Sequence, residues 1–128
     1  MTEPHWLSLP LVLALHERLL GEFGGGAGLR DDRRLDTVIE RPRQAFRYGI
    51  DAMHALAACY AVAIVQGHPF LDGNKRTGFL CATLFLERNG FVFIATEEEA
   101  LEKTLALAAS EITETEYASW LKANCKPA

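Results

Sequence analysis

The sequence predicts an all-α fold: one compact domain of about six helices around a central buried helix, with room for a short β-strand or hairpin. Three observations carry this. Apolar residues recur every three or four positions along most of the chain, the period of a helix face. The segment from about Asp51 to Gln66 is apolar almost all the way round, as suits a helix enclosed by others. Two later segments open on Thr with Glu three positions on, Thr96 with Glu99 and Thr113 with Glu116, the pattern of a capping box.

The elements follow in order. Ser8 caps a first helix whose Pro10 lies in its first turn, where no amide partner is needed. Leu11, Val12, Leu15, Leu19 and Leu20 give it an apolar face, and the run Gly24–Gly28 ends it. A short second helix begins near Asp31 or Asp32 with Leu35, Val38 and Ile39 on one face, and Pro42 interrupts that pattern. Gln44–Ile50 reads as irregular or a short hairpin. The buried helix Asp51–Gln66 follows, then a loop Gly67–Gly73. The next helix runs from about Asn74 to Asn89 with Gly90 as its left-handed cap. Phe91–Ala95 suits a short strand. The two capped segments give helices to about Ala109 and about Asn124.

The 128 residues fit one domain, 1–128, with no repeat, low-complexity tract or linker. A chain this long buries roughly two-thirds of its unfolded surface and needs no metal or disulfide staple. It is 49% hydrophobic and 23% charged, an ordinary globular balance. The net charge of −4 gives no basis for general polyanion binding, so no direct nucleic-acid partner is expected. The N-terminus lacks the basic region of a signal peptide. The longest apolar run, Ala52–Val65, is shorter than the roughly 20 residues a membrane span needs. Cys59, Cys81 and Cys125 are odd in number and far apart, which suggests neither a disulfide framework nor a zinc ribbon. A reduced, cytoplasmic protein is the expectation.

One stretch concentrates chemistry: His68-Pro69-Phe70-Leu71-Asp72-Gly73-Asn74-Lys75-Arg76. It sets an imidazole, a carboxylate, an amide and two cations between two apolar helices, where polar groups are costly to desolvate unless paired. Gly73 and Asn74 stand where a loop enters a helix, and the free amides and positive dipole of that end bind anions. Lys75 and Arg76 oppose the dipole, at about 0.3–1 kcal/mol each when exposed. A bound polyphosphate reverses that penalty. Asp72 offers a hard oxygen for Mg²⁺, which takes one or two carboxylates plus phosphate oxygens. His68 is the candidate general base, since an imidazole suits proton removal near neutral pH. Phe70 anchors the loop in the core.

The other candidates have plainer readings. Gly24–Gly28 follows a helix and lacks a nucleotide-loop pattern, so it reads as a connector. Arg30-Asp31-Asp32-Arg33-Arg34 reads as a solvated helix start, with Arg30 a candidate for the phosphate pocket. His5, His16 and His54 have no ligand-spaced partner, and His54 reads as a hydrogen-bonded core histidine. Gly78 in mid-helix costs about 1 kcal/mol relative to Ala, which close approach to the Ala-rich helix would offset. The loop around Phe46–Ile50 is equally a connector or a strand-addition site for a target segment.

His68-x-Phe70-x-Asp72-Gly73-Asn74 followed by Lys75-Arg76 resembles the Fic/Doc motif, and more closely its Doc (death-on-curing) branch. Gly28-Leu29-Arg30-Asp31, Leu35, Pro42 and Tyr48 resemble the segment upstream in that branch, and Phe85-Leu86-x-x-Asn89-Gly90 the segment after it. The resemblance implies a toxin of a bacterial toxin–antitoxin pair that transfers the γ-phosphate of ATP, with Mg²⁺, to a hydroxyl of a translation elongation factor. It implies a small antitoxin whose C-terminal segment binds near the site. By position, His68 would be the base and Asp72 the metal ligand. Gly73, Asn74, Lys75 and Arg76 would hold the phosphates, Lys75 and Arg76 supplying the catalytic charge. Two alternatives stay open: nucleotidyl transfer to a protein hydroxyl, and a catalytically silent module that binds antitoxin as a co-repressor. The AMP-transferring pattern has Gly at the position of Lys75 and Arg at that of Phe79. Loss of that Arg removes a bidentate phosphate clamp, which favours the Doc-like outcome.

Overall fold

The protein, described from a computed structural model covering residues 2–128, is built from six helices and a two-stranded sheet. The elements are α1 (Leu9–Phe23), α2 (Asp32–Arg47), α3 (Met53–Gly67), α4 (Asn74–Arg88), β1 (Phe91–Phe93), α5 (Glu97–Ala108), α6 (Glu114–Ala123) and β2 (Cys125–Pro127). Helix α3 is the axis of the core. Every residue from Leu56 to Val65 is buried, and α2, α4, α5 and α6 pack around it. Among the described residues no helix is long and apolar enough to cross a membrane.

The expected caps form. Ser8 accepts the Leu11 N–H at 3.3 Å, and Thr113 with Glu116 forms a reciprocal capping box. The Thr96 box forms by half: Thr96 accepts from Glu99 N–H, while the Glu99 carboxylate accepts the Trp120 indole N–H at 3.0 Å instead. Gly78 lets α4 close on α3. A Cβ there would meet Val65 Cγ2 at 2.7 Å and the Ala61 carbonyl at 3.1 Å. Cys59 and Cys81 are buried, and burial pushes their thiols up to about 11 and about 12.

Three expectations are corrected. Helix α2 does not stop at Pro42 but runs through it to Arg47. Pro42 falls on the apolar face with Leu35, Val38 and Ile39 and is itself buried. Its ring serves as packing, and Phe46, one turn on, meets Trp6 edge-on at 5.7 Å. Gln44–Ile50 is therefore helix end and Schellman turn: Ile50 N–H donates to Ala45 and Gly49 N–H to Phe46. Those amides are taken, so the segment offers no open N–H edge for strand addition. The strand after Gly90 forms, and it pairs antiparallel with Cys125–Pro127, a partner without a sequence signal. His54 lies half-buried in the first turn of α3 and not in the core.

Candidate functional site

The candidate site is the turn that joins the two most buried helices. His68 ends α3 in the left-handed conformation, φ 48° and ψ 55°. A non-glycine residue held there is uncommon, though His tolerates it better than most. Arg34 donates to the Gly67 carbonyl at 3.3 Å, satisfying an end carbonyl of α3. Phe70 then enters the core at 1% exposure and fixes the loop. Asn74, 9% exposed, closes it from the other side. Its Oδ1 accepts the Phe70 N–H at 3.1 Å and its Nδ2 donates to the Phe70 carbonyl at 3.0 Å. The Asn74 side chain is thus turned toward the loop backbone, and its N–H lies in the open first turn of α4.

Gly73 is the N-cap of α4, with φ 80°, and carries no side-chain cap. The first helical bond is given by Thr77 N–H to the Gly73 carbonyl. The N–H groups of Asn74, Lys75 and Arg76 precede it and stay free for an outside acceptor. Lys75 and Arg76 are exposed and enter no ion pair among the described residues. The Arg76 guanidinium lies 4.1 Å from the Phe23 ring centroid, a cation–π contact that aligns it without neutralising it. There α1, α4 and α5 enclose a groove of about 320 Å³ lined by Leu19, Phe23, Phe79 and Leu101 together with Glu22, Glu97, Lys75 and Arg76. Phe79 meets Phe93 edge-on at 5.6 Å and brings no donor to the start of α4.

The connector Gly24–Gly28 has a larger part than sequence reasoning gave it. It runs against the turn: Arg30 N–H donates to Pro69 and Leu71 N–H to Gly28. The Asp72 carboxylate is caught between the two segments. One oxygen accepts Gly73 N–H at 2.8 Å and the other Gly26 N–H at 3.3 Å. A Cβ on Gly25 would stand 2.7 Å from Asp72 Oδ2, so only glycine allows this approach. Sequence reasoning also missed His16. Its ring stacks on Phe70 at 3.6 Å and 7°, and its Nε2–H donates to the Asp72 carbonyl at 2.7 Å. The signal was present: His16 sits at helical spacing between Val12 and Leu19, the other buried positions of α1.

The donor set decides which metal could be held. Asp72 is exposed, and each of its oxygens keeps a free lone pair. Among the described residues no three His, Cys, Asp or Glu side chains cluster to hold an ion. A single exposed carboxylate suits Mg²⁺ shared with phosphate oxygens. Residues 68–76 thus bring a free imidazole, an oriented carboxylate, three unbonded amides and two cations to one turn.

Comparison with known proteins agrees in place and extent. The sequence model of the Fic/DOC family matches residues 6–86, which spans α1, the Gly-rich connector and the whole turn. The protein kinase Doc of Escherichia phage P1 is 35% identical over 112 residues, covering 87% of this chain and 88% of its own. The toxin Doc of Mycolicibacterium smegmatis is 42% identical over 71 residues, about half of each chain. The chain is a member of the Fic/DOC family, and its matches lie in the Doc branch.

Proposed function

We propose that this protein is the toxin of a toxin–antitoxin pair and acts as a protein kinase, transferring the γ-phosphate of ATP to a hydroxyl of a translation elongation factor in the bacterial cytoplasm. The observation that carries this is the start of α4: three amides outside the helical bonding and two unpaired cations beside one oriented carboxylate. Cations at the positive pole of a helix are disfavoured unless an anion is bound there. The names of the two Doc relatives point the same way.

Little covalent work is needed from the protein, because phosphoryl transfer is governed by position and charge. In this reading the amides of Asn74, Lys75 and Arg76 hold phosphate oxygens, and Lys75 and Arg76 spread the developing charge. Asp72 would hold Mg²⁺, which would supply positive charge against the phosphate oxygens. His68 accepts the proton of the target hydroxyl as its oxygen bonds to the γ-phosphorus. The bond from that phosphorus to the β–γ bridging oxygen breaks, ADP leaves, and the imidazolium returns its proton to water. Phe79 in place of a second arginine leaves the anion end without a bidentate clamp, which supports γ-phosphate over nucleotidyl transfer. The apolar groove beside Arg76 is the proposed seat of the antitoxin's C-terminal segment. The test is growth on induction: wild type should arrest translation with a phosphorylated elongation factor, and His68→Ala should not. Arrest by His68→Ala would remove His68 from the mechanism.

A further inference from the structure

We infer that His16 is a positioning residue for this site, acting through the backbone of Asp72; the inference rests on the proposed transfer reading. His16 is on α1, far from the motif in sequence, and is 5% exposed. Three contacts join it to the turn. Its Nε2–H donates to the Asp72 carbonyl at 2.7 Å. Its ring lies parallel on Phe70 at 3.6 Å. It also covers Gly73, where a Cβ would come 3.5 Å from Nε2. A carbonyl can only accept, so in the neutral ring the hydrogen sits on Nε2. Asp72 and Gly73 are the residues that aim the carboxylate and open α4. Their peptide unit is held at its carbonyl by His16, while Asn74 holds the backbone of Phe70 two residues earlier. Phe70 alone would anchor the loop in depth but not fix the rotation of the Asp72–Gly73 peptide. The His16 bond fixes that rotation, and with it the direction of the Asp72 carboxylate and of the first amides of α4.

Two variants separate positioning from packing. His16→Phe keeps a ring for Phe70 and removes the donor. His16→Gln puts an amide N–H the same number of bonds from Cα as Nε2 and gives up the stack. Each is measured for melting temperature, for kcat and KM with ATP, and for amide exchange at Gly26 and Gly73, the two donors to the Asp72 carboxylate. In His16→Phe, kcat should fall about tenfold to 100-fold, since misplacing a reacting group by about 1 Å costs that much. KM for ATP should rise with it, because the same turn aims the amides that hold the phosphates, and exchange at Gly26 and Gly73 should rise. His16→Gln should recover most of kcat despite the lost stack. Wild-type kcat and unchanged exchange in His16→Phe would overturn the inference. So would equal losses in both variants that follow melting temperature, the mark of a core residue. If the wild type transfers no phosphate, the transfer reading fails by itself, and the exchange comparison still decides whether His16 holds the turn.

Discussion

Gly25→Ala, set against Gly24→Ala, isolates the hold of the connector on Asp72. Both glycines have positive φ, 77° at Gly24 and 123° at Gly25. Alanine at either position carries a backbone penalty of about 1–3 kcal/mol. With about 2.1 cal/mol/K per residue of unfolding entropy, a 128-residue chain loses about 4 °C of melting temperature per kcal/mol. Both variants should therefore melt about 4–12 °C lower. The positions differ in what the new methyl meets. At Gly24 nothing lies within 4 Å, whereas at Gly25 the methyl stands 2.7 Å from Asp72 Oδ2, 3.2 Å from Asp72 Cγ and 3.1 Å from Leu20 Cδ2. The carboxylate is the part that can give, and its rotation breaks its bond from Gly26 and loosens the one from Gly73. Phosphate transfer and Mg²⁺ affinity should fall about tenfold or more in Gly25→Ala and stay near wild type in Gly24→Ala at a temperature where both are folded. Steady-state transfer with Mg²⁺ titration, beside thermal melts, reads this. Wild-type activity in Gly25→Ala, or the same loss in both, would refute the reasoning.

Three further outcomes follow from the packing. Gly78→Ala gains about 1 kcal/mol of helix propensity but overpacks the α3–α4 contact at about 1–3 kcal/mol; a net drop in melting temperature is expected, and a rise would mean that Val65 yields freely. Thr77 is fully buried and its hydroxyl has no partner among the described residues, so Thr77→Val should leave stability unchanged or raise it by about 1 kcal/mol in a denaturant melt, whereas a clear loss would reveal a bond the hydroxyl makes. Burial first, with the Lys122 charge adding, lowers the His54 pKa below the usual 6.5; the unfolded chain then binds the proton more readily, so stability present above about pH 6.5 is lost as pH falls through the folded value. His54→Gln should flatten that part of the stability–pH curve, and an unchanged curve would assign the drop to other groups.

The fold was legible where the sequence carries a local signal. Ser8, Thr96 and Thr113 marked helix starts because a cap acts within three residues. Gly78 announced a close helix contact because mid-helix glycine has a cost that something must offset. The signals that misled were local too. Pro42 reads as a helix breaker in isolation, but its ring lies on the buried face and tertiary packing outweighs the lost amide. The partner strand Cys125–Pro127 has no pattern of its own, since a three-residue strand is defined by what it pairs with. The candidate residues within 68–76 read as one string because their chemistry is contiguous. His16, Gly25 and Gly26 were not, because each acts on Asp72 from more than 45 positions away. Asking whether His16 had a metal-ligand partner missed the better signal, a polar ring on an apolar helical stripe.

The most direct test of the central claim is the origin of the transferred group. Purified protein, Mg²⁺ and bacterial extract are given ATP labelled at the γ-phosphate or, in parallel, at the α-phosphate, with a folded His68→Ala variant alongside. A kinase should place γ label on one extract protein, identified as a translation elongation factor, with no α label, and neither label should appear with His68→Ala. Label from the α position would contradict it and show nucleotidyl transfer, and the inference from Lys75 and Phe79 would fail with it. No label from either position by folded wild type would leave a module that binds antitoxin without catalysis.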